Sequence, residues 1–452
     1  MIELLTSLFS NNAKVLILGF GKEGKSTYGF VRKYFPKLKL AIADSNPQIA
    51  NNNALSNDNK LEIITGSNYL NSLSKFDIII KSPGVKIGEI RDKDSGKITS
   101  QTDLFLQCYA NQVIGVTGTK GKSTTASLVK HFLDSAKKKS LLLGNIGVPA
   151  FDRIENIEND TIIVYELSAH QLEYLHKSPH IAVLLNIFPE HLDYFNTFDD
   201  YKNAKLNICN FQNEDDYLIL HNSLFREKDL PESTPDNYRD RRVYNQKTVI
   251  RSLDIKSRII EIPAKGTKLK IENPPLVGDH NLINIEVALK AVEIFGIERS
   301  VAINSLSSFK GLPHRLENIG IFGGIIFVND SISTIPESTI AAVNALPEVD
   351  TIILGGWDRG LDYKGLIEFL TTSDINNFIF LGKAGDRMYD VFNIKNVKNL
   401  FKADSIESAF KIIAKNAAKG RICLLSPAAA SYDQFHNFEH RGDAFRELAM
   451  KL

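Results

Sequence analysis

The sequence has 452 residues and is 43% hydrophobic, so it can bury more than one core and exceeds one ordinary domain. Lys and Arg number 54 against 53 Asp and Glu, which excludes attraction to nucleic acid or membrane through a global excess of charge. Three scattered cysteines without CxxC pairing argue against disulfides and zinc, and the absence of a signal-peptide pattern or long apolar run leads us to expect a cytoplasmic protein.

Short apolar runs recur along the chain, and each is followed by a glycine turn and a helical pattern. This alternation predicts an α/β fold with parallel sheets. The predicted strands are 14–18, 39–43, 77–80, 113–117, 162–165, 181–186, 351–354, 377–381 and 421–425.

Two segments divide the predicted α/β elements into three sets. The polar segment 90–99 ends the first set, and segment 306–315, which contains a glycine and a proline, separates the second from the third. We therefore predict domains at 1–110, 111–311 and 312–452. Residues 215–277 are more polar, and their shorter pattern predicts a small β-rich insertion or edge region.

A first glycine-rich loop, residues 19–26, follows the first predicted strand. Its glycines Gly19, Gly21 and Gly24 fit the spacing of a dinucleotide-binding loop and also that of a strict P-loop. Asp44, at the end of the second strand, lies about where a ribose-binding acid would lie in a dinucleotide fold. Taken alone, the loop leaves open a nicotinamide-dependent oxidoreductase and a turn that only lets a helix and a strand lie close together.

A second loop, residues 117–124, follows a predicted strand and opens a helix that runs to about residue 132. Backbone N–H groups at such a helix start bind phosphates, Lys122 neutralises their charge, and the Ser123 hydroxyl is suited to magnesium. Val116 stands where the strict P-loop pattern has its first glycine. The loop favours nucleotide phosphate binding over an ordinary turn.

Together with the motifs around it, the second loop resembles the Mur ligase family, and the likeness covers essentially the whole chain. Each motif is modest alone, but their number and order favour the resemblance. The motifs are 118–124, 144–147, 166–168, 185–186, 189–193, 201–206, 278–281, 312–315, 329–331, 426–428 and 441–442. The resemblance implies a Rossmann-like UDP-binding domain, a central P-loop-type ATPase domain and a C-terminal Rossmann-like domain that receives an amino acid.

The activity that the resemblance implies is an ATP-dependent amide ligation in peptidoglycan precursor synthesis. In the most similar members, glutamate is added to UDP-N-acetylmuramoyl-L-alanine through an acyl phosphate. Because every reacting species is anionic, Mg²⁺ and cationic side chains must offset charge. We expect small-molecule substrates, no nucleic-acid or membrane partner, and a monomer.

The resemblance also implies roles for particular residues. The implied catalytic residues are Lys122, Glu166, His191 and Lys205, and the implied metal ligands are Ser123, Glu166, His191 and Lys205. The implied ATP contacts are Gly118, Thr119, Lys120, Gly121, Lys122, Ser123, Thr124, Asn284, Arg315 and Asp330. The implied UDP contacts are Gly21, Lys22, Glu23, Asp44, Ser45, Ser82, Gly84 and Asn145. The implied amino-acid contacts are Thr334, Arg359, Ser431 and Phe438.

Lys205 is the most distinctive of these residues. In the family the matching lysine is carbamylated by carbon dioxide, which turns a cation into an anion that suits a metal. Carbamylation needs an uncharged amine and therefore a site that disfavours protonation. Without the resemblance, Lys205 reads as an ordinary helix-surface lysine, Glu166 as a strand-end acid and His191 as a loop histidine.

The sequence departs from the family at Ile332, where members specific for D-glutamate carry a lysine. Arg359 stands where a cation contacts the incoming carboxylate, and a guanidinium suits bidentate capture. The pattern leaves D-glutamate, L-glutamate and another amino acid open. A non-catalytic nucleotide-sensing scaffold is a further alternative.

Overall fold

A computed structural model of the protein describes residues 1–10, 12–88, 95–191, 194–221, 255–263, 276, 279–394 and 399–452. The chain divides into two compact units. One unit ends at Phe309 and contains two sheets; the other, chiefly Lys310–Leu452, contains a third. Most of the predicted β-rich region 215–277 lies outside the described residues, as do residues 192, 193 and 278 of the family motifs.

The first sheet is parallel and has the strand order β3-β2-β1-β4-β5. Its strands are β1 (Val15–Leu18), β2 (Leu40–Asp44), β3 (Leu61–Thr65), β4 (Ile78–Lys81) and β5 (Ile98–Thr99), and the helices around it are α1 (Ile2–Leu8), α2 (Lys22–Tyr34), α3 (Asn53–Ser56) and α4 (Gln101–Tyr109). Every residue of β1 and β4 is buried, as expected for strands covered on both faces. From β1 the chain continues to β2 on one side, and after β3 it crosses to β4 on the other side of β1. A crevice therefore opens at the carboxyl ends of the strands beside β1.

The second sheet, also parallel, has the order β11-β10-β9-β6-β8-β7. Its strands are β6 (Val113–Thr117), β7 (Ser140–Gly144), β8 (Ile162–Glu166), β9 (Ile181–Leu184), β10 (Tyr217–His221) and β11 (Arg258–Ile262). Its helices are α5 (Lys122–Ser135), α6 (Ala169–Leu172), α7 (Phe198–Asn210), α8 (Asp279–Ile294) and α9 (Arg299–Ser305). Helix α5 packs against α8, which brings two distant parts of the sequence to the second glycine loop.

The third sheet, in the second unit, has the order β12-β13-β17-β14-β15-β16. Its strands are β12 (Glu317–Phe322), β13 (Ile325–Asn329), β14 (Val349–Gly355), β15 (Asn377–Leu381), β16 (Asn399–Ala403) and β17 (Ile422–Leu425), and its helices are α10 (Pro336–Ala345), α11 (Lys364–Thr371), α12 (Gly382–Ile394), α13 (Ile406–Asn416) and α14 (Phe438–Ala449). The edge strand β12 pairs antiparallel with β13, whereas the other strand pairs are parallel.

The predicted α/β class is confirmed, and each predicted strand is present with small shifts of its ends. Three expectations need correction: the loop helix begins at Lys122 rather than residue 124, the strand predicted at 181–186 ends at Leu184, and the parallel pattern fails at β12. The prediction missed β3, β5, β7, β12, β13 and β16, and it gave β10 and β11 only as part of a β-rich region. Strands β3, β7, β12 and β16 are partly exposed edge strands without a long apolar run, and β5 is an edge strand of two residues. By contrast, β13 is an interior strand that begins with four apolar residues and was missed despite this run. The boundaries near residues 110 and 311 stay a prediction. Among the described residues, no helix combines the length and the apolar character needed to cross a membrane.

Candidate active site

The second glycine loop joins β6 to α5, and Gly121 is the residue that caps the helix. Its φ of 86° lies in the left-handed region that glycine adopts without strain. A Cβ at this position would lie 2.8 Å from Oδ1 of Asn284, so the close approach of α8 also requires glycine. Thr125 donates a hydrogen bond to the same Oδ1 at 3.3 Å. The predicted ATP contact Asn284 therefore lies directly beside the predicted phosphate loop.

Two lysines converge on one carbonyl of this loop. Lys122 donates from Nζ to the carbonyl oxygens of Gly118 at 2.9 Å and Thr119 at 3.0 Å. Lys205, which is on α7 and 1% exposed, donates from Nζ to the same Gly118 oxygen at 2.9 Å. Two predicted catalytic residues from separate elements thus meet at the loop.

The surroundings of Lys205 favour its uncharged form. Burial, and next the positive charge of Lys122, hold the pKa of Lys205 well below its ordinary value, while the carboxylates of Glu190 and Glu166 act in the opposite direction. A neutral amine retains the lone pair that a carbamate bond requires. The environment therefore meets the chemical condition for the expected modification.

Tyr201 lies one helical turn before Lys205 and contacts several members of the site. Its hydroxyl is 3.0 Å from Oγ1 of Thr119, and Nζ of Lys205 lies 4.8 Å from its ring centroid. The ring of His191 is 6.2 Å away between centroids. The sequence motif 201–206 indicates no contact for Tyr201, yet its side chain lies next to Thr119, His191 and Lys205.

Glu166 ends β8 and is fully buried. Its Oε1 accepts a hydrogen bond from Nδ2 of Asn145 at 2.8 Å, whereas Oε2 has no hydrogen-bond partner among the described residues. A buried carboxylate oxygen without a donor is costly, and a cation is one group that satisfies it. Across the parts of the chain that the structure describes, no three His, Cys, Asp or Glu residues gather as a metal site. A bound ion would therefore need further oxygen ligands.

The segment after β9 is hydrogen-bonded to the second glycine loop, which its sequence motif alone does not indicate. Oδ1 of Asn186 accepts from the backbone N–H of Lys120 at 2.7 Å, and its Nδ2 donates to the Lys120 carbonyl at 3.0 Å. Glu190 forms a 2.7 Å ion pair with the Lys120 side chain. Burial of Glu190 opposes ionisation, but the hydrogen bond and charge of Lys120 prevail and lower the Glu190 pKa.

A cavity of about 400 Å³ opens at the carboxyl ends of the strands of the first sheet. All of the predicted UDP contacts line it: Gly21, Lys22, Glu23, Asp44, Ser45, Ser82, Gly84 and Asn145. Ser168 and Gln171 also line it, although the sequence reading assigned them no contact. Since Asn145 lines the cavity and also bonds Glu166, it connects the cavity to the second glycine loop's site within the same unit.

Backbone packing shapes the first glycine loop at the floor of this cavity. A Cβ on Gly24 would lie 2.0 Å from the carbonyl oxygen of Gly19, so only glycine allows α2 to start this close to β1. Ser82 donates to the Gly19 carbonyl at 2.9 Å, and Asp44 accepts from the backbone N–H of Phe20 at 2.7 Å. The N-terminus of α2 borders the cavity, an arrangement that suits an anionic ligand.

In the second unit, the predicted amino-acid contacts follow neighbouring strands of the third sheet. Arg359, which comes after β14, is exposed and donates from Nη2 to the Thr334 carbonyl at 3.1 Å. Ser431 is buried after β17. The carbonyl of Phe438, the first residue of α14, accepts from Oγ of Ser331 at 2.8 Å. The segment after β13 is thus hydrogen-bonded both to the segment after β14 and to the start of α14.

Arg441 was not assigned a role, but it fastens the same segments. Its guanidinium is 2% exposed and donates to the carbonyl of Ser331 at 2.8 Å and to the Ser331 hydroxyl at 3.0 Å. It also donates to the carbonyls of Ala429 and Ala430 at 3.1 and 3.3 Å. Burial lowers the pKa of Arg441 to about 10, and the negative charge of Asp433 acts in the opposite direction.

The two predicted ATP contacts of the second unit differ in their surroundings. Asp330 is 2% exposed and accepts from the Ser426 hydroxyl at 2.8 Å and from the Leu316 backbone at 3.2 Å. Burial raises the pKa of Asp330 to about 6, although the hydrogen bonds from Ser333 and Ser426 oppose this shift. Arg315 is exposed. Their role as ATP contacts stays a prediction.

Comparison with known proteins identifies relatives along the whole chain. Residues 13–92 match the Mur ligase MurD-like N-terminal domain, and residues 116–292 match the Mur ligase middle domain. Proteins named UDP-N-acetylmuramoylalanine--D-glutamate ligase from Acetivibrio thermocellus and Clostridioides difficile are 30% and 31% identical. The first match covers 98% of this chain and 97% of the relative, and the second covers 97% and 98%.

Solved structures share the fold at low sequence identity. The MurF ligase from Thermotoga maritima in complex with ADP has a TM-score of 0.54 at 17% identity, and the match covers 97% of this chain and 95% of that one. The UDP-N-acetylmuramate-alanine ligase MurC from Thermotoga maritima has a TM-score of 0.55 at 15% identity, with 96% and 98% covered.

The domain matches and the relatives define this protein as an ATP-dependent, amide-forming ligase that acts on small molecules. The chain belongs to the Mur ligase family. The nicotinamide-dependent alternative finds no support, because the segment that carries the first glycine loop matches a Mur ligase domain.

Proposed function

We propose that this ligase joins glutamate to the free carboxyl group of UDP-N-acetylmuramoyl-L-alanine in peptidoglycan precursor synthesis. The relatives of similar length carry the name of that reaction. The cavity at the first sheet offers a helix N-terminus and a shaped backbone to a nucleoside diphosphate. We further propose that the enzyme is cytoplasmic and acts as a monomer.

The observation that carries the proposal is the convergence of Lys122 and Lys205 on the Gly118 carbonyl. A loop that binds the phosphates of ATP needs a cation at this place, and Lys122 supplies it. Lys205 lies beside it in a site that favours the neutral amine. A mere nucleotide-sensing scaffold has no need for a second, buried and uncharged lysine.

The residues also fit Mg²⁺ ions, provided that Lys205 carries a carbamate. The ligands that we assign are the Ser123 hydroxyl, the His191 imidazole, the carbamate oxygens and Oε2 of Glu166, which has no hydrogen-bond partner among the described residues. When bound, Mg²⁺ supplies positive charge that offsets the phosphate oxygens. The carbamate would also place a negative charge beside Lys122, where the charge of Lys122 disfavours a second cation.

The reaction then proceeds in two steps, phosphoryl transfer and amide formation. The substrate's carboxylate attacks the γ-phosphorus of ATP, the bond to the β-phosphate oxygen breaks, and ADP leaves. The amine of glutamate attacks the resulting acyl phosphate, inorganic phosphate leaves with the bonding electrons, and the amine loses a proton. Lys122 stabilises the negative charge that develops on the transferring phosphoryl group.

The choice between D-glutamate and L-glutamate depends on the second unit. We propose that Arg359 receives a carboxylate of the incoming amino acid, with Thr334, Ser431 and Phe438 around it. Arg359 is exposed and is held at the Thr334 carbonyl, so its guanidinium is positioned yet accessible. Ile332 offers no second cation, and D-glutamate is our first choice because the relatives are named for it.

The decisive experiment measures phosphate release from ATP by the purified full chain. Release is expected only when UDP-N-acetylmuramoyl-L-alanine and glutamate are both present, with D-glutamate faster than L-glutamate. Reactions that omit one substrate at a time are the controls. Phosphate release that is unchanged when either substrate is omitted would contradict the proposal, and a faster reaction with L-glutamate would reverse only the assignment of the enantiomer.

A further inference from the structure

Glu23 is an acidic side chain in the cavity to which we assign an anionic diphosphate. It lies in the first turn of α2, next to Lys22 and the capping residue Gly21, and all three line the cavity. Its Oε1 accepts from Nε2 of Gln171 at 2.7 Å. Its Oε2 is buried and has no hydrogen-bond partner in the described part of the chain. An ionised carboxylate is poorly satisfied in such surroundings.

The cations nearest to Glu23 bond to other groups. Lys22 donates from Nζ to the Gly147 carbonyl at 2.9 Å. Lys81, at the end of β4, donates to the Tyr194 hydroxyl at 2.9 Å and lies 3.4 Å from a carboxylate oxygen of Glu173. Their positive charges lower the pKa of Glu23, but the effect of burial is larger. The charge of an ionised Glu23 would thus be only partly balanced.

Among the described residues, the other titratable groups that line the cavity or interact with Glu23 add no positive charge. Tyr165, on β8, is buried, and burial together with the charge of Glu23 raises the pKa of its phenol well above the ordinary value. Asp44 lines the same cavity from the end of β2 and accepts from the backbone N–H groups of Phe20 and Asn46. Two acids therefore border the space that a doubly charged diphosphate would occupy.

Burial has the largest effect on the titration of Glu23. Burial raises the pKa of Glu23 to about 7, against the opposing hydrogen bond from Gln171 and the charges of Lys81 and Lys22. Negative charge brought into the cavity disfavours the ionised form further. Protonation and anion binding must then favour each other, because such coupling is reciprocal.

We propose that a UDP-linked ligand binds this cavity with uptake of a proton by Glu23, so that affinity falls as pH rises above neutrality. The inference rests on the proposed function, which supplies the diphosphate. Below about pH 6 the carboxyl is already protonated and binding takes up no proton. Above about pH 7 the ionised carboxylate must acquire one, so Kd rises by up to about tenfold per pH unit until the pKa of the bound form is passed.

Calorimetric titration of the full chain with UDP-N-acetylmuramoyl-L-alanine, without ATP, tests this coupling. Titrations at about pH 8 in two buffers of different ionisation enthalpy report the protons exchanged with solvent. The wild type is expected to take up a large fraction of a proton at about pH 8 and almost none at about pH 6. The ligand's phosphodiester groups stay ionised over this range, so the proton must reside on the protein.

Glu23→Gln isolates the responsible group, because glutamine keeps the shape and still accepts from Gln171 but does not titrate. The variant is expected to bind without proton uptake, with a nearly constant Kd between about pH 6 and 8. Glu62→Gln is the matched control, since Glu62 is an exposed acid on β3 of the same sheet; it should behave like the wild type.

Wild-type binding without proton uptake at about pH 8 would overturn the inference, and so would undiminished uptake by Glu23→Gln. If Glu23→Gln does not fold, the proton uptake of the wild type at about pH 6 and about pH 8 still tests whether binding is coupled to protonation. A wild type that binds the UDP-linked ligand at no pH would instead defeat the proposed function.

Discussion

The two glycine-rich loops have similar sequences but bring different side chains to their ligand sites. The first loop fits the strict P-loop spacing, yet its Lys25 is exposed and its Ser26 is buried and donates to Asp152 at 2.7 Å. The second loop has Val116 in place of the first glycine, yet Lys122 folds back onto the carbonyls of the loop.

The difference between the loops shows that the spacing of the glycines determines the backbone turn. The charged side chains around each loop come instead from neighbouring helices and strands. At the first loop, the adjacent acids are Glu23 and Asp44. At the second loop, α7 adds Lys205 and β8 adds Glu166 near the loop lysine. A loop that positions the terminal phosphoryl group of ATP for transfer needs a cation and metal ligands. We assign these roles at the second loop, to Lys122 and to Glu166.

Alanine substitution of the lysine in each loop tests this comparison most directly. Lys122→Ala removes the cation that we assign to the transferring phosphoryl group, and we expect kcat to fall by about 10²–10³ or more. Lys25→Ala, which alters the exposed lysine of the strict motif, should leave kcat within about twofold. Steady-state phosphate release measures both variants. Loss of turnover in Lys25→Ala with retention in Lys122→Ala would show that our assignment of the loops is reversed.

A second effect, of about a hundredfold, is expected at Lys205, whose neutral amine we assign to carbamylation. Lys205→Met keeps the length of the side chain but accepts no carbon dioxide, so turnover should fall and not respond to bicarbonate. The wild type stripped of carbon dioxide should lose activity and regain it with bicarbonate, and labelled bicarbonate should give a carbamate ¹³C signal.

Lys202→Met is the matched control for Lys205→Met, because Lys202 is on the same helix and pairs with Asp199. It should retain activity, the bicarbonate response and the ¹³C signal. Full activity of the stripped wild type, or a carbamate signal that persists in Lys205→Met, would exclude the modification from catalysis.

The fold, too, was predictable where the local sequence determines the structure and less so where contacts with distant segments do. Interior strands such as β1 and β15 are buried at every position and therefore appear as continuous apolar runs. Edge strands such as β3 and β12 are partly exposed and mix polar with apolar residues. Their strand character depends on a pairing partner that local sequence does not reveal.

Residues of the candidate site were predictable where a sequence motif contains them. They were not predictable where their role depends on contacts between distant segments. The family resemblance gave every cavity residue assigned to UDP and both lysines at Gly118. It gave no role to Tyr201 or Arg441, because their contacts join segments far apart in the chain. The burial of the Glu23 carboxyl likewise depends on Gln171 and the second sheet, which the first loop's sequence does not contain.

The smallest expected effects distinguish the serines that follow the two loop lysines. Ser123→Ala removes a proposed metal ligand, so half-maximal activity should require about tenfold more Mg²⁺, with little change in stability. Ser26→Ala removes the hydrogen bond to Asp152 and should cost about 1 kcal/mol in the free energy of unfolding, with the Mg²⁺ requirement unchanged. Magnesium titrations of turnover and urea unfolding measure the two quantities. A raised Mg²⁺ requirement in Ser26→Ala but not in Ser123→Ala would mean that the first loop, despite its exposed lysine, is the one that holds the metal.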